Sequence, residues 1–303
     1  MAVAIQTPET DNTPKAGFEK FWSDFSESKV AVAALMVFFG ILFVAIFAPF
    51  VSPYDPYDLA TVDIMNSRLS PGSTDFSGNT YWLGTDGAGR DMLSAIFYGL
   101  RISLGVGAMS GLIALFIGAA VGLSSAYFGG RFETIAMRIV DIQLSFPSIL
   151  MALIILAIFG KGVEKTILAL VLVQWAYYAR AARASALVEK NKEYVEAARC
   201  LALSDRRIIL NHIMPNCLAP LIVVGTLQTA HAISLEATLS FLGLGLPITE
   251  PSLGLLIGNG FEFMYSGEYW ISILPGVALL FTIVSINLVG DQLRDIFNPR
   301  LQR

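Results

Sequence analysis

Six polar side chains interrupt long apolar runs in this 303-residue chain: Asp141, Gln143, Gln228, His231, Glu236 and Asn287. A charge at mid-bilayer costs about 2.5–3.5 kcal/mol on insertion scales, so such groups face a bundle interior or a watery cavity. Two roles are open to them, lining a solute path or hydrogen-bonding helix to helix. At 100° per residue, Gln228 and Glu236 lie about 80° apart on a helix and His231 about 60° to the other side. That makes a broad polar face, not a tight cluster. A proton relay would need several acids aligned through the membrane, and none is visible.

Catalytic chemistry finds no footing. There is no G-x-S-x-G elbow and no G-x-x-x-x-G-K-[ST] phosphate loop. "FGKGVEK" at 159–165 lacks both the upstream glycine and the hydroxyl after Lys161. Two cysteines, Cys200 and Cys217, and two histidines, His212 and His231, form no CxxC, HExxH or mixed cluster. No metal or cofactor is therefore expected on this chain, and the cysteines read as small packing residues. Work done uphill would draw its energy from a partner or an ion gradient.

The elements that must position these residues are membrane helices. The chain is 55 % hydrophobic and only 15 % charged, with a mean hydropathy of +0.64, against about a quarter charged in soluble domains. No basic stripe stands apart from the membrane flanks, which argues against nucleic acid. A spanning helix needs roughly 20 apolar residues. Six stretches qualify, 30–50, 102–126, 134–159, 166–187, 217–240 and 270–290. The first reads as a retained anchor, not a cleaved leader.

Lys and Arg set the orientation. With the N-terminus inside, Lys15, Lys20 and Lys29 precede the first span. Arg131 and Arg138 sit at the inner start of the third span, Arg180 and Arg183 at the inner end of the fourth with five more basic residues before the fifth, and three in the tail. Outside fall Arg68, Arg90, Lys161 and Lys165, with Arg101 at a boundary. The pattern predicts an all-α protein of six spans, both ends inside.

The segments are then a cytoplasmic 1–29, a first span 30–50, an outer loop 51–99, a five-helix core 100–290 and a tail 291–303. The outer loop ends with Met92, Ile96 and Leu100 at i, i+4, i+8, which predicts an amphipathic helix on the membrane surface. Asp86 and Asp91 beside it read as turn chemistry. Gly107, Gly111, Gly118 and Gly122 carry two G-x-x-x-G spacings in the second span, which predict close helix packing.

The largest cytoplasmic loop, 188–216, holds "EAARCLALSDRRIILNHIMPN". "EYVEAARCLAL" is built of helix formers, Ser204-Asp205 offers an N-cap, and "RRIILNHIM" returns to helical spacing. Two short helices joined by a turn are expected, with Ala197 and Ala198 giving an approachable face ringed by Arg199, Arg206 and Arg207.

This stretch resembles the EAA motif of ABC-importer permeases: E-A-A, three residues, Gly, nine residues, I-x-L-P. Glu196, Ala197, Ala198 and Pro215 stand in register. Ala202 takes the glycine slot, His212 the isoleucine slot and Met214 the leucine slot. "LGTDGAGRDMLS", "YFGGRFE…RIVDIQLSFPSILMALIILAIFG", "EATLSFLGLGLP" and "NLVGDQLRDIFNPRL" extend the resemblance over roughly 18–303. The chain is similar to the C-type permease subunit of dipeptide, oligopeptide and nickel importers of bacterial inner membranes.

The resemblance implies a type I importer permease fold and several partners. They are a homologous second permease, two cytoplasmic ATPases that use ATP and Mg, an extracytoplasmic binding protein, and a peptide substrate. It implies that Glu196, Ala197, Ala198, Ala202, Asp205, Arg206 and Pro215 couple to an ATPase. Nickel or another small solute is the alternative cargo. An ion-coupled secondary transporter would show inverted repeats with broken helices, and none is evident. If the Ala202 slot needs a left-handed backbone, alanine costs about 1 kcal/mol there, unless the turn moves to Leu203-Ser204.

Overall fold

A computed structural model describes residues 17–58, 62–247, 250 and 252–297; Lys15, Arg300 and Arg303 of the orientation argument lie outside them. The chain is built of helices. α1 (Gly17–Ser26) precedes α2 (Lys29–Ile46), whose N-cap Ser28 accepts from the Ala31 N–H at 3.2 Å. A single turn, α3 (Ala48–Val51), ends the first span. Among the described residues the strands amount to one hairpin, β1 (Ser73–Thr74) paired antiparallel with β2 (Thr80–Tyr81).

α4 (Met92–Phe128) is one unbroken helix of 37 residues, about 55 Å long. This corrects the expectation of a separate surface helix at its start. Met92, Ile96 and Leu100 are buried in one cluster with Leu253, Trp270 and Ile271. Their stripe is the buried face of a long spanning helix, and no proline or unpaired backbone interrupts it. Asp86 and Asp91 do serve the turn. Asp86 takes the Ala88 and Arg90 N–H groups and the Arg90 guanidinium, and Asp91 caps α4 by accepting from Ser94 N at 2.8 Å.

The predicted third span is broken. α5 (Gly130–Ser145) and α6 (Ser148–Phe159) meet at 92°. Phe146 is extended at φ −93°, ψ 141°, and Pro147 follows. Proline lacks the N–H that would continue the helix and bars the α conformation before it.

α7 (Val163–Glu189) runs 27 residues, about 40 Å. α8 (Glu193–Cys200) and α9 (Asp205–Ile208) follow. After α9 a π-helical turn, Ile209–Ile213, leads straight into α10 (Met214–Phe241). α11 (Leu253–Phe261) and α12 (Trp270–Phe297) complete the bundle.

Among the described residues, four helical runs are long and apolar enough to cross a membrane: α2, α4, Asp205–Phe241 and α12. The bent pair makes five if counted as one span. α7 has the length, but Gln174, Arg180 and Arg183 hold down its hydropathy. Outward-facing Phe39, Phe43, Phe116, Leu280 and Phe281 are exposed, as lipid-facing positions must be when the bilayer is the solvent.

α4 packs along α7 and α10. A Cβ at Gly118 would strike the Trp175 carbonyl and Tyr178 Cβ, and one at Gly122 the Ala179 carbonyl. Gly107 and Gly111 lie against Ile233 and Thr229 of α10. All four glycines thus pack helices within this chain.

Candidate coupling loop and membrane polar sites

The loop between α7 and α10 is a helix, a turn and a second helix fixed to the bundle from beneath. Val195 and Ala198 of α8 are buried with Ile208, Ile213 and Cys217, against Leu123 and Ala126 of α4 and Ala182 and Ala186 of α7. The two alanines of the sequence motif therefore part company. Ala198 faces in at 3 % exposure, and Ala197 faces out. Glu193, Glu196, Ala197, Cys200 and Leu201 are exposed at i, i+3, i+4, i+7, i+8, so they form one open helical face. Leu201 is 75 % exposed on it.

The turn keeps its register. Ala202 has φ +52°. Its N–H donates to Arg199 O at 2.9 Å, and the Leu203 N–H donates to Ala198 O at 3.2 Å. These are the two bonds of a Schellman cap, and Leu203 packs in the same cluster as Ala198. The left-handed residue is Ala202 itself, not Leu203 or Ser204. Ser204 stands at the N-cap of α9 with extended backbone, yet its hydroxyl makes no capping bond. This corrects the predicted cap. Asp205 is engaged elsewhere, accepting the Tyr127 O–H at 2.6 Å.

The loop continues into the span without a stop. Pro215 sits in the first turn of α10, where its missing N–H costs least. The wider π turn just before it accommodates a ring that would clash with the carbonyl four residues back. Arg206 lines a groove of about 520 Å³ with Ile209, Leu210 and Met214 on one side and Phe116, Leu123 and Phe128 of α4 on the other.

A polar knot holds the loop's entry. Glu189 accepts from Lys192 Nζ and from Tyr194 O–H, both at 2.6 Å. Burial pushes the Glu189 carboxyl up, but these two donors outweigh it and hold it below the usual carboxylate value. Burial, then the bond to Glu189, raises the Tyr194 phenol to about 12. Asn216 Nδ2 donates to Tyr194 Oη at 3.2 Å and to His212 O at 2.7 Å.

The intramembrane polar residues are not gathered into one site. Glu236 is fully buried and touches no open space. Its carboxylate accepts from Ser103 Oγ of α4 at 2.9 Å and Ser240 Oγ at 2.7 Å, and Ser103 Oγ accepts from Leu253 N of α11 at 3.3 Å. Here Glu236 joins α4, α10 and α11 instead of lining a path.

Asp141 pairs with Arg180 Nη2 of α7 at 2.7 Å, and both side chains stay more than half exposed. His231 is exposed on α10, its Nε2 3.5 Å from Ser148 Oγ beside the α5–α6 break. Gln143 donates to the Leu172 carbonyl. Gln228 is buried, and Asn287 is half-buried on α12. Of the six, Asp141 and His231 are the exposed ones, while Gln143 and Asn287 are partly so. Cys200 is exposed and Cys217 buried, both free.

Sequence reasoning passed over Tyr127, Lys190, Glu189 and Tyr194. Tyr127 and Lys190 meet across 63 positions of sequence and Tyr127 and Asp205 across 78, which no local pattern reports.

Residues 114–303 match the family described as binding-protein-dependent transport system inner membrane component. Residues 18–71 match the N-terminal TM domain of oligopeptide transport permease C. The dipeptide transport system permease protein DppC of Escherichia coli (strain K12) is 40 % identical over 291 residues, 96 % of this chain and 95 % of the relative. The di/tripeptide transport system permease protein DppC of Pseudomonas aeruginosa (strain UCBPP-PA14) is 37 % identical over 285 residues, 94 % and 92 % of the two chains. Among solved structures, a chain of the MetNI methionine ABC transporter in an inward-facing conformation is similar in fold. Its TM-score is 0.55 at 21 % identity, covering 68 % of this chain and 98 % of that one.

Proposed function

We propose a function on one premise: the chain belongs to the family of binding-protein-dependent transport system inner membrane components. It is a permease subunit of an ABC importer, and its cargo is dipeptides or short oligopeptides. The relatives named above, which align over nearly their whole length, support that cargo. It sits in a bacterial inner membrane with six spans and both ends inside, as the Lys and Arg distribution favours. A second, homologous permease supplies the other half of the path.

The observation that carries the reading is the loop 190–215. It is anchored through Val195, Ala198 and Ile208 to three helix ends, while Glu193, Glu196, Ala197, Cys200 and Leu201 stand free on one face. A bound, ordered helix with an open face is a docking element; a solvated loop would hold neither. We assign that face to one of two cytoplasmic ATPases. The ATPases bind ATP and Mg, since this chain has no phosphate loop. Their differential affinity for two states of the bundle then drives alternating access. Arg180–Asp141 and His231, the most exposed of the intramembrane polar groups, are the parts of the path we assign to this subunit.

Co-expression of the whole importer tests this. The two ATPases should purify with the unmodified chain and be lost, or fall at least tenfold in yield, with Ala197→Trp. Unchanged recovery with a bulky ring on that face removes the docking assignment.

A further inference from the structure

Three parts of the coupling loop converge on one residue at the cytoplasmic end of α4. The Tyr127 O–H donates to Asp205 Oδ1 at 2.6 Å. The Arg199 guanidinium lies 5.3 Å over its ring. Lys190 Nζ donates at 2.8 Å to the main-chain carbonyls of both Tyr127 and Ala126. Those carbonyls belong to the last turn of α4, where C=O groups lack intrahelical partners and the helix end is negative. An ammonium group suits both conditions. The contacts arise separately from the start of the loop, from α8 and from the first residue of α9, so Tyr127 follows the loop as a body.

What α4 does with that grip depends on its other end. The helix runs 37 residues to Met92 without a proline. There Asp91 Oδ2 accepts from Ser94 N and Oγ at 2.8 and 2.6 Å. Met92 N donates to Gly84 O at 3.0 Å, and Tyr54 N to Ser94 Oγ at 3.2 Å. The outer segment is thus tied to the first turn of α4 as firmly as the loop is tied to its last. Packed helices shift as rigid bodies because close-packed interiors do not compress.

We infer that Tyr127 is the positioning residue through which the coupling loop moves α4. A displacement at the loop then reaches Tyr54, Gly84 and Asp91 of the extracytoplasmic segment along one rod of about 55 Å. This route is separate from the chain connections of the loop into α7 and α10. The inference rests on the coupling role proposed for the loop. Tyr127→Phe tests it, because the ring under the Arg199 guanidinium remains while the hydroxyl and its bond to the Asp205 carboxylate go.

The test uses the full importer in proteoliposomes, with second permease, ATPases and binding protein. With Tyr127→Phe, the ATPases should co-purify and hydrolyse ATP as before, while dipeptide uptake per ATP falls roughly tenfold, as for loss of a hydrogen bond to a charged acceptor. Hydrogen exchange supplies a readout that a merely structural role would not move. The change that ATP produces at residues 92–100 in the unmodified importer should vanish in the variant. Should Tyr127→Phe assemble poorly, Asp205→Asn weakens the same bond from the other side and should lower uptake per ATP in the same sense. Unchanged uptake per ATP together with an unchanged ATP response at 92–100 overturns the role of Tyr127 alone. Failure of the ATPases to associate with the unmodified chain overturns the coupling reading, and this inference with it.

Discussion

Ala202→Gly should make the coupling loop more stable, against the usual effect of glycine. Ala202 has φ +52° and closes α8 through its own N–H and that of Leu203. A left-handed backbone costs an L-residue about 1–2 kcal/mol that glycine does not incur. Glycine gives back about 0.5–1 kcal/mol through its freer unfolded chain. The net gain is about 0.5–1 kcal/mol, which converts to roughly two- to fivefold in the local opening equilibrium. Hydrogen-exchange mass spectrometry on a peptide spanning 198–208 reads that equilibrium. Protection of the Ala202 and Leu203 amides should rise by that factor. Ala197→Gly, five residues earlier on an exposed helical position, should lower protection in α8 by a similar factor. Slower exchange at both sites, or faster exchange in Ala202→Gly, would refute the cap assigned to Ala202. Transport should persist in Ala202→Gly.

Gly118→Leu should cost about 3 kcal/mol or more of folding stability, because the side chain meets the α7 backbone and not a movable neighbour; a thermal melt in detergent detects it. Glu236→Ala should cost about 1–3 kcal/mol by leaving Ser103 and Ser240 without their acceptor, while Glu236→Gln, which keeps an acceptor, should cost less in the same melt. Glu189 has a carboxyl held below its ordinary value. Its contribution is therefore present above the unfolded value near 4.5 and lost as pH falls through the lower folded value. Tyr194→Phe should shrink the pH dependence of stability in that window, seen by chemical denaturation from pH 6 down to pH 3.

The long helices α2, α4, α10 and α12 were legible because apolar runs of about 20 residues have one physical meaning in a bilayer. The loop was legible because Glu196 to Pro215 keeps its spacing and its helix formers. The limits came from contacts between distant segments. Met92, Ile96 and Leu100 form the same stripe whether they face a membrane surface or Trp270 and Ile271. Only the packing partners decide between the two. Glu236 reads as part of a broad polar face with Gln228 and His231, but the serines that enclose it come from α4 and the end of α10, and Leu253 of α11 closes the group. Residues 134–159 read as one apolar span, and the 92° break at Phe146-Pro147 is a feature that the apolar run does not report. Tyr127 carries no local signal at all, since its partners lie in the loop that folds back upon it.

The measurement that bears most directly on the central claim is uptake of a labelled dipeptide into proteoliposomes. Liposomes holding this chain, its second permease and both ATPases, with binding protein on the substrate side and ATP on the ATPase side, should accumulate dipeptide above the external concentration. Omission of ATP, or of either permease, should abolish accumulation. Dipeptide flux through this chain alone, with no ATP and no ATPase present, would contradict the account.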